Sequence, residues 1–163
     1  MPKFLVGRDI DLFKSIAREI VDDVIQNTIV LFKVNLADTK INIYGESTNK
    51  TWHPGVSMYA LINKDPSTIN YEGFGSDTGQ NIEFRLDRWA CEEKGAYPET
   101  GDVIYFDESY YQIDNTSETQ FVGGQTENNF SIVCSTFMVR KSDLNIEERI
   151  NQYVYKSTTT KFK

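Results

Sequence analysis

Carboxylates are the side chains best supplied for chemistry: Glu92, Glu93, Asp102, Asp107 and Glu108 crowd one short stretch. At that density they could bind Mg²⁺ and serve a metal-dependent hydrolase. Their spacing argues otherwise, since Glu92 and Glu93 are neighbours on a predicted helix and Asp107 and Glu108 sit at a turn tip. Solvated acids at such places are ordinary. His53 is the only histidine, so a Ser–His or Cys–His nucleophile would have to use it. It lies in a polar run before Pro54, where a histidine is more often a surface residue than a base. Cys91 and Cys134 are far apart and outside any C-x-x-C pattern, which reads as free, partly buried thiols. The sequence contains no G-x-x-x-x-G-K-[ST] phosphate loop, no G-x-S-x-G elbow and no H-E-x-x-H pair. The reading is non-enzymatic, with no catalytic or metal-binding residue and no cofactor; a carboxylate metalloenzyme and a monomeric binding module are the alternatives.

The elements that carry these residues centre on 98–115, PETGDVIYFDESYYQIDN. Residues 102–106 and 110–114 are β-branched and aromatic, and Asp107-Glu108-Ser109 between them is a polar turn, so the stretch predicts an antiparallel hairpin. Val103 and Tyr105 face one way and Ile104 and Phe106 the other, which requires cover on both sides. Further strands are expected at 28–34, 41–44, 56–62, 81–86 and 131–139. Ile10, Phe13, Ile16, Ala17, Ile20, Val21 and Val24 form an apolar helical stripe, capped by Asp9 and read as packing on the sheet. Asp87 and Gly95 bracket a short middle helix over 88–94. Asn145-Ile146-Glu147-Glu148 has the form of a capping box and opens a short C-terminal helix to Tyr155. The fold class is α+β: a small antiparallel β-barrel or sandwich core with an N-terminal helix, a short middle helix, a short C-terminal helix and extended loops. One domain spans 1–155, and 156–163 is a flexible basic tail.

Two polar connections interrupt the strands. Residues 45–55, GESTNKTWHPG, are expected to form an exposed arm or long turn with Trp52 and His53 as interface residues. Residues 63–80 contain Tyr71 and Phe74 among glycines, either folded onto their own domain or ordered against a neighbouring subunit. A connection this long is usually functional unless it hides a short strand.

The chain has 163 residues, 39% hydrophobic and 13% aromatic, which suits one globular domain with a real core. Net charge is −7, which disfavours a DNA-coating surface. Residues 72–114 hold eleven acids against Arg85, Arg88 and Lys94, a local balance of −8, leaving the remainder near +1. Glu72, Asp77, Asp107 and Glu108 are the candidates to face a channel; equally, the acids could solvate an outer face. No targeting signal is visible at the start, and no apolar run is long enough to cross a bilayer.

Three stretches, Ile43-Tyr44-Gly45-Glu46-Ser47, residues 98–106 (PETGDVIYF) and Tyr110-Tyr111-Gln112-Ile113-Asp114, resemble the neck proteins of contractile-tailed, T-even-like phages, the head-completion or head-closure proteins. The likeness covers roughly residues 41–146. It implies a structural virion protein that forms a ring between portal and tail and closes the filled capsid. The implied partners are copies of itself, a portal or adaptor protein and a tail terminator protein. Genomic double-stranded DNA passes without sequence-specific binding, and no membrane is involved. The implied location is the virion neck, reached from the host cytoplasm during assembly. A tail terminator or portal adaptor of the same connector is the alternative, and the family offers no catalytic or cofactor residues.

Overall fold

The computed structural model describes residues 7–37, 39–41, 47–66, 68–72, 75–119, 128–141, 144 and 146. Helix α1 (Gly7–Glu19) runs into a π-helical turn (Ile20–Ile25), which Gln26 ends in the left-handed conformation. Then come β1 (Thr28–Phe32), the short β2 (Lys40–Ile41) and β3 (Ser47–Asn49), and β4 (Val56–Lys64). These are followed by β5 (Thr68–Glu72), β6 (Gly75–Gly79), β7 (Asn81–Asp87), α2 (Arg88–Glu93), β8 (Val103–Phe106), β9 (Ser109–Thr119) and β10 (Ser131–Val139).

Six of these strands close an antiparallel barrel in the order β1-β4-β7-β10-β9-β8. Alternation sets the interior: Ile82, Phe84 and Leu86 point inward from β7, Ile29 and Leu31 from β1, and Ile132 and Cys134 from β10. Phe84 meets Phe106 and Tyr111 edge-on, with ring centroids 5.9 and 5.8 Å away. Each such buried side chain contributes about 1.5–3 kcal/mol. Closure also removes the sheet edges that would otherwise invite pairing.

The β8–β9 hairpin is at the centre as its pattern predicts, with a tighter turn. Phe106 pairs with Ser109, leaving Asp107 and Glu108 as a two-residue loop with φ of 49° and 61°. Positive φ at both positions matches the right-handed strand twist. The second face of the hairpin is indeed covered. Phe32, Trp52, Val103, Tyr110, Leu144 and Ile146 pack together against the outside of β1 and β8.

Trp52 corrects the exposed-arm reading. It is 1% exposed. Residues 51–53 run antiparallel to 33–35: Asn35 N–H donates to Thr51 O, His53 N–H donates to Lys33 O, and Val34 faces Trp52 across a bridge. The polar stretch before Trp52 therefore holds strand β3 paired to β2, and its base lays the indole over the barrel wall. His53, next along, is exposed. Gly55 is fixed here by space, since an added Cβ would stand 2.5 Å from Val30 Cγ1 and 2.7 Å from Phe32 Cε1. Gly55→Ala should cost roughly 1–3 kcal/mol through overpacking. Urea unfolding checks this, and an unchanged midpoint would mean that the Phe32 ring yields freely.

Helix α1 departs from expectation in three ways. It begins at Gly7, so Asp9 lies inside the first turn instead of capping it. Of the apolar stripe only Ile10 and Val21 are buried, while Phe13, Ile16, Ile20 and Val24 stay exposed. Arg18 grips Glu93 of α2 bidentately (3.1 and 2.7 Å) and Lys14 lies 4.2 Å over the Trp89 ring. These contacts rotate α1 so that its cationic flank, not its full apolar face, meets the body. The middle helix matches its prediction: Asp87 accepts from Ala90 N–H, and Gly95 takes φ of 60°. The expected C-terminal helix and the basic tail lie outside the described residues.

Candidate functional site: an acidic barrel end

Strands β4 and β8 finish, and β7 and β9 start, at the same end of the barrel. Beyond β4 the chain leaves as the β5–β6 hairpin and returns to β7, with Asp65 N–H donating to Asn81 O at the base. The polar connection thus hides two strands. Among the described residues they pair only with each other in backbone register, Tyr71 with Ser76, Glu72 with Gly75 and Asn70 with Asp77. Tyr71, Glu72 and Asp77 belong to this arm, while Phe74 lies outside the described residues.

Asp107 and Glu108 stand exposed at the β8–β9 tip. Lys64 connects tip and arm: its Nζ is 3.1 Å from Asp107 Oδ2 and 4.9 Å above the Phe106 ring. Beside it, Asp65, Glu83 and Asp114 line one cleft with Asn81, Ser135 and Phe137. Arg85 answers Glu83 at 2.8 Å. Strand β10 also finishes here, with Val139 beside Tyr110, so that among the described residues these five acids share the end with Lys64, Arg85, Arg140 and Lys141, before Glu72 and Asp77 of the arm are counted. Sequence reasoning grouped Glu72, Asp77, Asp107 and Glu108, and the barrel brings their backbones to one end. It missed Asp65, Glu83 and Asp114, which only the strand register places there. Asp114 is the residue skipped where β9 slips against β10, between Asn115 and Ile113.

The remaining candidates serve the fold. Asp102 is 2% exposed and accepts backbone N–H bonds from Val34 and Glu99. Glu92 pairs with Arg88, and Glu93 with Arg18. Glu118 accepts from Asn129 Nδ2 at 2.6 Å and from the Tyr97 hydroxyl, with Arg88 3.4 Å away. These bonds, Asn129's first, hold its carboxyl below the usual range. Burial and the facing carboxylate push Tyr97 up to about 12. Cys91 and Cys134 are buried in the barrel, and burial pushes both thiols up to about 12, which leaves them protonated at neutral pH. Among the described residues no three His, Cys, Asp or Glu side chains stand together as a metal site, and no helix is long and apolar enough to cross a membrane.

No protein-family model matches the sequence, and no curated protein does. Among solved structures, a chain from the virion of a native gene transfer agent (GTA) particle is similar, with a TM-score of 0.46 and 12% identity over 70% of this chain and 94% of that one.

Proposed function

We propose that this chain is a structural subunit of a virion neck, assembling as a ring between head and tail that closes the DNA-filled capsid. The exposed acidic turn at the tip of the β8–β9 hairpin carries the reading. The turn Asp107-Glu108 holds two non-glycine residues at positive φ, where an L side chain costs roughly 1–2 kcal/mol. Asn-Gly would suit the same turn without that strain. Strain kept at a tip whose only distinctive chemistry is charge points to a role for the charge. An acidic lining repels phosphate and keeps duplex DNA sliding, whereas each Lys or Arg contact to phosphate would add salt-dependent affinity. The resemblance of the hairpin to head-closure proteins supports the same assignment. In the ring, Asp107, Glu108, Glu72 and Asp77 face the channel, and the β5–β6 arm with Tyr71 and Phe74, together with His53, meets neighbouring subunits.

Replacing Asp107 and Glu108 with Lys tests this. The exposed Lys64–Asp107 pair is worth about 0.2–1 kcal/mol, so folding should be nearly unchanged. Particles carrying the variant should retain or release DNA abnormally. High salt should relieve the defect, because the Debye length falls from about 10 Å at 0.1 M to about 3 Å at 1 M. Normal DNA release at every salt concentration, with the variant confirmed in the particle, would place this tip away from the DNA path.

A further inference from the structure

Helix α1 and the π-helical turn after it carry an apolar row on the outside. Leu12, Ile16, Ile20 and Val24 recur every four residues and are 56%, 44%, 45% and 74% exposed. A contiguous apolar surface rimmed by charge marks a contact site. The rim here is acidic: Glu19 and Asp23 stand exposed beside Ile20 and Val24. Lys14 and Arg18 are engaged elsewhere, by Trp89 and Glu93, and Arg8 lies in the first turn, away from them.

An apolar track joins this row to Ile146, the last described residue. Ile146 is fully buried with Phe32 on the outer face of β1, and Val30 packs against the same cluster. The next strand of the barrel is β4, whose outer face continues the track with the exposed Tyr59 and Leu61. Leu61 in turn lines the cleft that Ile20 closes from the helix side. Leu61 stands five residues beyond Val56, the partner of Leu31, or about 17 Å at strand rise. One strand spacing of about 5 Å and about 10 Å for a helix lying on a sheet put the row roughly 20 Å from Ile146.

Residues 147–163, EERINQYVYKSTTTKFK, fit the row in chemistry and in origin. After Glu147 and Glu148 they hold Arg149, Lys156, Lys161 and Lys163 and no further acid, with Ile150, Tyr153 and Val154 among the first eight. Eight residues span up to about 26 Å, so these apolar residues reach the row from Ile146 within one chain. The tether gives that contact an effective concentration on the order of mM, which outcompetes a second copy in dilute solution. Other stretches fit less well. Residues 120–127, QFVGGQTE, carry an acid and no base, and 1–6 join α1 at the end away from Leu61. We infer that residues 147–163 fold back along the track and cover the Leu12-Ile16-Ile20-Val24 row of their own chain. The inference stands independently of the neck reading.

Paramagnetic relaxation in the full chain tests it. A nitroxide is attached at Ser157→Cys, while Cys91 and Cys134 are buried and take no label. At dilute protein, backbone amides of residues 12–24 should lose intensity when the nitroxide and ¹⁵N are in the same chain. A mixture of ¹⁵N chains without nitroxide and nitroxide chains without ¹⁵N should show no such loss. Ile16→Asp/Val24→Asp, both at exposed positions, should restore the intensity and leave the barrel spectrum unchanged. Ile150→Asp/Val154→Asp should restore it too without touching α1, and so decides the matter if the first variant unfolds. An equal loss in the mixture would overturn the inference in favour of the same segment from a second copy. No loss in either sample, or a loss that survives Ile150→Asp/Val154→Asp, would show that this segment does not cover the row.

Discussion

Trp52→Ala should lower the unfolding free energy by about 3–5 kcal/mol, the usual cost of deleting a large buried aromatic. A domain of this size has only about 5–15 kcal/mol in total, so the loss takes a large share of its stability. The indole is sealed among Phe32, Val103, Tyr110, Leu144 and Ile146, and the ladder between 33–35 and 51–53 holds it there. Its N–H meets no acceptor among the described residues, so the side chain acts through packing alone. Trp52→Phe, which keeps most of the volume and drops that donor, should cost less than about 1.5 kcal/mol. Urea unfolding followed by circular dichroism measures both without interference from Trp89. A loss under about 1 kcal/mol for Trp52→Ala would show that the indole is not packed against the barrel.

That result reverses what the sequence around Trp52 suggests, and the reason is physical. Composition reports which residues prefer water, not which backbone they pair with. The run GESTNKTWHPG is polar in composition, yet the backbone of 51–53 pairs with 33–35 and lays one aromatic against the barrel wall. The same blindness hid β6, whose Gly, Ser, Asp and Thr residues carry no apolar period, and with it the short alternation of Ile69 and Tyr71 in β5. It also hid the last five residues of β9, Asn115 to Thr119, held by backbone pairing to β10. β7 was legible from the alternation of Ile82, Phe84 and Leu86, because one buried face imposes a period of two, and β8 from a β-branched and aromatic run covered on both faces. The α1 stripe was legible as a pattern but not as a location, since the contacts of Arg18 with Glu93 and Lys14 with Trp89 join elements far apart in sequence. Of the acidic end, the tip and arm acids were visible as a charge excess. Asp65, Glu83 and Asp114 joined them only through strand register.

Asp102 is the other residue on which the fold depends, and its contribution should vary with pH in an unusual direction. Oδ1 accepts from Val34 N–H at 3.0 Å and Oδ2 from Glu99 N–H at 2.9 Å, while its own carbonyl accepts from Ile113 N–H. One side chain thus ties the continuation of β1 to the turn before β8. Asp102→Ala leaves two N–H groups unanswered; at about 1–3 kcal/mol each, the loss should be roughly 2–6 kcal/mol. Asp102→Asn keeps one acceptor and should lose about half as much. Burial raises the Asp102 carboxyl above its ordinary 3.8, a shift that the bonds from Val34 and Glu99 only partly offset. The folded state therefore binds this proton more readily than the unfolded chain, and stability from this group rises as pH falls through the raised value toward 3.8. Glu118 and Glu93, whose carboxyls are held low, act in the opposite sense, but equally in wild type and variant, so they cancel in the difference. The stability gap between wild type and Asp102→Asn should accordingly widen between pH 7 and pH 4 in urea titrations. A gap that narrows on acidification would mean that the hydrogen bonds outweigh burial and that the carboxylate is held as the anion.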